Sequence, residues 1–65
     1  MTAAQRYDAR FAIWSAARAE ANLAYAGWCA APGRERYAIY RAAEDRADAA
    51  EDALTVPVPA EPAVA

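Results

Sequence analysis

The prolines of this chain stand at positions 32, 57, 59 and 62 and nowhere else, which leaves two long proline-free runs, one ending at residue 31 and one spanning 33 to 56. Proline lacks a backbone N–H and clashes with the preceding helical turn, so its absence from both runs permits two long helices and its presence at 32 separates them. Both runs are built from strong helix formers: 22 of the 65 residues are alanine, and all seven basic residues are arginine. The sequence therefore predicts an all-α fold, an antiparallel two-helix hairpin with a C-terminal Pro-rich extended tail.

Local signals set the boundaries. Thr2 followed three residues later by Gln5 has the spacing of a capping box, which starts the first helix near Ala3. The helix-forming run continues to about Ala30. Ala31-Pro32-Gly33 then makes the turn, because proline disfavours helical geometry in the residue before it and glycine tolerates the reversal. A stop at Gly27, or Pro32 serving as the first residue of the second helix, are the alternatives. The second helix is expected from about Arg34 to Leu54, and so short a connection favours antiparallel packing. Residues 1–54 thus form the hairpin. From Thr55 to Ala65 the three prolines impose an extended, polyproline-like tail.

Periodicity then assigns faces. At 3.6 residues per turn, Ala3, Tyr7, Phe11, Trp14, Ala17, Ala21, Ala24, Tyr25 and Trp28 share one broad face of the first helix, interrupted by Arg10 and Arg18, with Leu23 off it. On the second helix, Ile39, Tyr40, Ala43, Ala47, Ala50 and Leu54 share the inner face. Alanine facing alanine lets the helices approach closely, with Tyr25, Trp28, Tyr37 and Tyr40 clustered near the turn and Tyr7, Phe11 and Trp14 at the other end. Antiparallel pairing brings Arg6 and Arg10 within range of Asp48, Glu51 and Asp52, and lets Val56 and Val58 fold back over Tyr7 and Phe11.

Size is the main energetic constraint. A chain of 65 residues makes one domain at most and encloses little core, and a two-helix rod encloses less than a sphere of the same mass. The isolated hairpin is therefore expected to be marginal and to complete a bundle by oligomerisation or partner docking. Seven aromatic residues exceed what one thin interhelical contact can cover. Tyr7, Phe11, Trp14, Tyr25, Trp28, Tyr37 and Tyr40 are accordingly the candidate interface anchors, since aromatic and Arg side chains dominate binding energy at protein interfaces. The competing reading buries all seven inside the hairpin.

The main polar feature is an acidic face on the second helix formed by Glu44, Asp45, Asp48, Glu51 and Asp52. Like charges four residues apart repel, and they crowd the C-terminal half of a helix, where the macrodipole already disfavours them. This face either docks a basic partner or keeps an alanine-rich rod in solution. Pro59-Ala-Glu-Pro62 has the spacing of a polyproline-docking ligand but lacks a basic flank, which fits a packing or spacer tail better.

Several function classes are not expected. The chain has no histidine, so the commonest general base and the His-based metal sites are missing, and Ser15 and Cys29 have no sequence neighbour to activate them. No enzyme activity, cofactor or metal is expected. A net charge of −2 with no basic stripe argues against nucleic acid. One cysteine allows no internal disulfide, no apolar signal core follows the N-terminus, and the 13-residue uncharged stretch 21–33 is too short for a bilayer that requires about 20 residues. These features predict a cytoplasmic protein with no membrane partner, and the bias towards Ala, Arg, Pro and Gly points to GC-rich coding in a bacterium or phage. The functional expectation is a protein–protein interaction module of adaptor or inhibitor type, a homodimer or higher oligomer. The rival is a structural or cementing subunit of an assembly such as a phage particle, in which case it would be virion-associated.

Overall fold

The computed structural model describes residues 2–57 and contains two helices, α1 (Ala3–Ala30) and α2 (Arg34–Thr55). They lie side by side and antiparallel. Contacts climb one helix as they descend the other, from Trp28 with Tyr37 and Tyr25 with Tyr40 to Arg18 with Glu44 and Arg10 with Ala53. The fold is the helical hairpin that the proline distribution predicts.

Local chemistry explains each helix end. The Thr2 hydroxyl accepts from the Gln5 N–H at 3.1 Å, and the Gln5 side chain accepts from the Thr2 N–H at 2.7 Å, so the capping box closes reciprocally. At the other end, Ala31 leaves the helix with φ −143° and ψ 79°, as a residue before proline is driven to do. Its N–H still donates to the Gly27 carbonyl at 3.1 Å, and the Tyr37 N–H opens α2 on the Gly33 carbonyl at 2.9 Å. α2 runs one residue past the expected stop at Leu54, because the Thr55 hydroxyl donates to the Asp52 carbonyl at 2.7 Å.

The contact between the helices repeats one pattern twice. On α1 the residues turned inward are Trp14, Ala17, Ala21, Ala24 and Trp28; on α2 they are Tyr40, Ala43, Ala47, Ala50 and Leu54. Each set is spaced by alternating steps of three and four, the seam of an antiparallel coiled coil, with small residues at the centre and large ones at both ends. Among the described residues only Ala21, Ala43 and Ala47 are buried, at 1%, 2% and 0% exposure, and no large side chain is fully enclosed. The radius of gyration is 16.0 Å, against about 11 Å for a compact chain of this length.

The seam is narrower than the periodicity suggests. Ile39, expected inside, is 55% exposed, because the contact line runs through Tyr40 and Ala43 and leaves Ile39 on the flank. Tyr7, Phe11 and Tyr25 are half exposed, and Ala3 is exposed as well. Arg10 and Arg18 do not disrupt the packing but reach across it. Sequence reasoning pairs Arg10 with the α2 carboxylates; its Nη1 instead donates to the Ala53 and Val56 carbonyls at 3.2 and 2.8 Å. Those carbonyls close a helix end that has no basic residue in its last turn. Arg10 therefore supplies, from α1, the positive charge that the end of α2 lacks. Val56 takes part through its carbonyl, and its side chain remains exposed. Val58 and the Pro59 to Pro62 motif lie outside the described residues.

Candidate functional site: two exposed faces of the hairpin

Among the described residues eight large hydrophobic side chains stay 47–75% exposed, and the hairpin sorts nearly all of them onto two flanks of the seam. One flank is aromatic. Near the turn, Trp28 stacks on Tyr40 with planes 3° apart and centroids at 5.9 Å, while Tyr25 meets Tyr40 edge-on at 5.3 Å. Tyr37 closes the group at 5.3 Å from Trp28 and 6.3 Å from Tyr40. These are the separations at which aromatic pairs attract beyond simple burial. Phe11 and Trp14 form a second pair at 5.5 Å towards the far end. The Trp14 indole N–H is buried and has no hydrogen-bond partner among the described residues.

Between the two aromatic groups lies a charged bridge. Arg18 Nη2 donates to Glu44 Oε2 at 2.6 Å across the helices. That hydrogen bond, followed by the negative charges of Glu44, Asp48 and Glu51, holds the Arg18 pKa above its ordinary value against the opposing effect of partial burial. The acidic face is therefore divided. Glu44 is engaged by Arg18, and exposed Asp45 sits 3.5 Å from Arg41 one turn back on the same helix. Asp48, Glu51 and Asp52 are exposed and carry the remaining negative charge of that face. Tyr25 lies one turn from Cys29, whose hydrogen bond and charge raise the Tyr25 pKa above the ordinary phenol value.

The opposite flank is aliphatic, and periodicity alone does not assemble it. Leu23 (75% exposed) and Ile39 (55%) stand either side of a shallow groove also lined by Ala24, Gly27 and Arg36. A Cβ on Gly27 would come 3.2 Å from Arg36 Nη1, so the missing side chain makes room for the guanidinium to lie against α1. Ile13, 63% exposed, lies on the same side of α1, and Glu20 between them accepts from Arg46 of α2 at 3.0 Å. A signal for this flank does stand in the sequence: Ile13, Glu20 and Gly27 recur every seven residues. It becomes visible only when Leu23 and Ile39 are considered together across the two helices.

Each sequence-predicted anchor has a definite place. Tyr25, Trp28, Tyr37 and Tyr40 come together, Phe11 and Trp14 pair separately, and Tyr7 lies half exposed one turn before Phe11. Among the described residues no three His, Cys, Asp or Glu side chains converge as a metal ion requires, and no helix is long and apolar enough to cross a membrane. Comparison with protein-family models, curated proteins and solved structures found no match for this chain.

Proposed function

We propose that the chain is a non-catalytic protein–protein interaction module, a hairpin that completes a larger helical assembly against another protein surface, its own copies included. One observation carries this reading: among the described residues three alanines are the whole buried core, while eight large hydrophobic side chains are left about half exposed or more. Burying apolar surface is the dominant favourable term in folding, and this hairpin leaves much of that surface unused. Exposed apolar area in excess of scattered single residues marks an interaction surface.

The aromatic flank is the docking face for the heterologous partner. Trp28, Tyr37 and Tyr40, with Tyr25 beside them, form a rigid group with few rotatable bonds, the type of anchor that supplies most of the energy at interfaces. Tyr7, Phe11 and Trp14 extend it. The exposed charges of Asp48, Glu51 and Asp52 favour a partner with basic residues around an apolar centre and bias it kinetically more than energetically. The absence of histidine and of any activating group beside Ser15 or Cys29 supports a role without catalysis.

The test has two arms. Thermal unfolding of the dilute chain is expected to show a transition of low midpoint, with the exposed rings of Tyr25 and Tyr37 open to solvent. In affinity capture, a partner retained by the native chain should be lost by the Trp28→Ala/Tyr37→Ala double variant. A dilute monomer that unfolds at high temperature with the rings of Tyr25 and Tyr37 shielded would overturn the reading.

A further inference from the structure

The chain leaves the described hairpin beside two half-exposed rings. We propose that its own C-terminal segment, residues 58–62, seats on Tyr7 and Phe11 as a strap, and that a partner using the far end of the aromatic flank has to displace it. The displacement rests on the docking role proposed above; the seating stands without it.

The exit point comes first. Counting equal numbers of residues from the Tyr25–Tyr40 contact brings Arg10 opposite Thr55, where α2 ends. There Arg10 holds the Val56 carbonyl at 2.8 Å, and Val56 has already turned to extended backbone at φ −77° and ψ 126°. Pro57 follows and keeps the residue before it in that form. Ala3 to Ala9 of α1 run on past this point without α2 beside them, about 10 Å of helix. Tyr7 stands on that overhang and Phe11 one turn further in, next in sequence to Arg10, and both are half exposed.

Reach then decides between the exposed surfaces. In the polyproline-like form that its prolines favour, Val58 to Pro62 measures about 12 Å, close to the length of the overhang. Ile39 and Tyr40 lie about 25 Å back along α2 from Pro57. Pro62 is only about 16 Å from Pro57, so the segment reaches neither the four-ring group nor the groove of Leu23 and Ile39. Ile13 is within reach, but it stands on the opposite flank as a single aliphatic side chain. Tyr7 and Phe11 offer two rings one turn apart.

The chemistry of the segment fits those rings. Prolines dock on aromatic surfaces, and a chain already confined to an extended form loses little freedom on seating. Glu61, about 12 Å beyond Pro57, comes level with the first turn of α1. That turn carries no acidic residue and presents the positive end of the helix dipole, so Glu61 does for the start of α1 what Arg10 does for the end of α2. Tethering adds to this. A segment fixed a few residues away acts at an effective concentration in the millimolar range, against which any outside chain must compete.

Nuclear magnetic resonance on the full chain tests the seating. Overhauser contacts should join the Val58 methyls and the Pro59 ring to the rings of Tyr7 and Phe11. A soluble paramagnetic cosolute should relax those two rings about two-fold less than Tyr37, which is half exposed like them and serves as the reference. In the Val58→Ser/Pro59→Ser variant the three rings should become alike, with circular dichroism unchanged because both positions lie beyond α2. Displacement is read with 1-anilinonaphthalene-8-sulfonate as the apolar probe. The variant should bind it several-fold more tightly than the native chain, and adding Tyr7→Ala and Phe11→Ala to the variant should remove the gain.

Native rings of Tyr7 and Phe11 as open to the cosolute as Tyr37 would overturn the strap. So would Val58 contacts to Ile13, or contacts found only between labelled and unlabelled chains, which would move the segment to the other flank or to another copy. Seated contacts with no gain in probe binding would refute the displacement and leave the strap in place. If the contacts are found but Trp28→Ala/Tyr37→Ala retains every captured protein, the docking role fails and the seating survives it.

Discussion

The middle of the hairpin and its turn-proximal end hold the same two helices together in different ways. In the middle, Ala21 faces Ala43 and Ala47 and almost nothing of these residues reaches solvent, yet each side chain is a single methyl group. Near the turn, Tyr25, Trp28, Tyr37 and Tyr40 bring four rings into mutual contact, and none is fully buried. The middle fixes how close the backbones lie and in what register. The rings are the larger side chains, and each covered part of a ring removes more apolar surface from water than a methyl group can. Completeness of burial and contribution to stability are therefore separated along one rod, because the second depends on how much surface is removed from water and not on what fraction of a small residue is covered.

Substitutions at the two places should fail for opposite reasons. Ala47→Leu forces a larger side chain into a contact with no free volume and is expected to cost about 3 kcal/mol, the upper part of the overpacking range. On a small hairpin that should abolish the cooperative urea transition at fixed protein concentration. Trp28→Ala removes area instead of adding it. Because Trp28 keeps part of its surface in solvent, the expected cost is about 2 kcal/mol, below that of a fully buried core aromatic, with a lower midpoint but a recognisable transition. If Ala47→Leu were tolerated and Trp28→Ala were not, the helices would be held by their rings alone and the close approach of the alanines would be incidental.

Thr2→Ala sharpens the contrast from outside both regions. It opens the capping box and should cost about 1 kcal/mol, read as faster amide exchange in the first turn of α1 with the ring contacts unchanged. The smallest effect is a titration. The Tyr25 hydroxyl is held above its ordinary pKa by Cys29. A phenol whose folded pKa is raised contributes stability that is fully present below the unfolded value and is lost as pH rises through the folded one. Cys29→Ala should therefore let Tyr25 ionise at lower pH, followed at 295 nm in a background with Tyr7, Tyr37 and Tyr40 changed to Phe. An unchanged titration would mean that Cys29 does not contact the hydroxyl.

What the sequence made legible was whatever is decided locally. The capping box at Thr2 and Gln5, the break before Pro32 and the absence of proline from both runs act within a few residues, and the helix ends followed from them to within one position. The hairpin pairing followed from the short turn. Less legible was which apolar residues the seam takes. Alanines bring the backbones so close that the contact strip narrows to alternating steps of three and four, and Ile39, Tyr25 and Phe11, only slightly off that line, fall outside it. The polar contacts were hidden for another reason. A guanidinium reaches several ångströms from its backbone, and Arg10 found carbonyl oxygens, which every residue carries and no sequence pattern marks. The acidic face read as one stripe because the arginines that divide it, Arg18 and Arg41, belong to the other helix and to the preceding turn.

The hold of Arg10 on the carbonyls of Ala53 and Val56 makes the fraying of one helix depend on a residue more than forty positions earlier. Solvent exchange of the terminal amides of α2 thereby becomes a gauge of whether the two arms are shut. During synthesis the arginine is already waiting when those carbonyls emerge, so the clasp can fasten only as the final turn is completed, and zippering from the loop outward would reach it last.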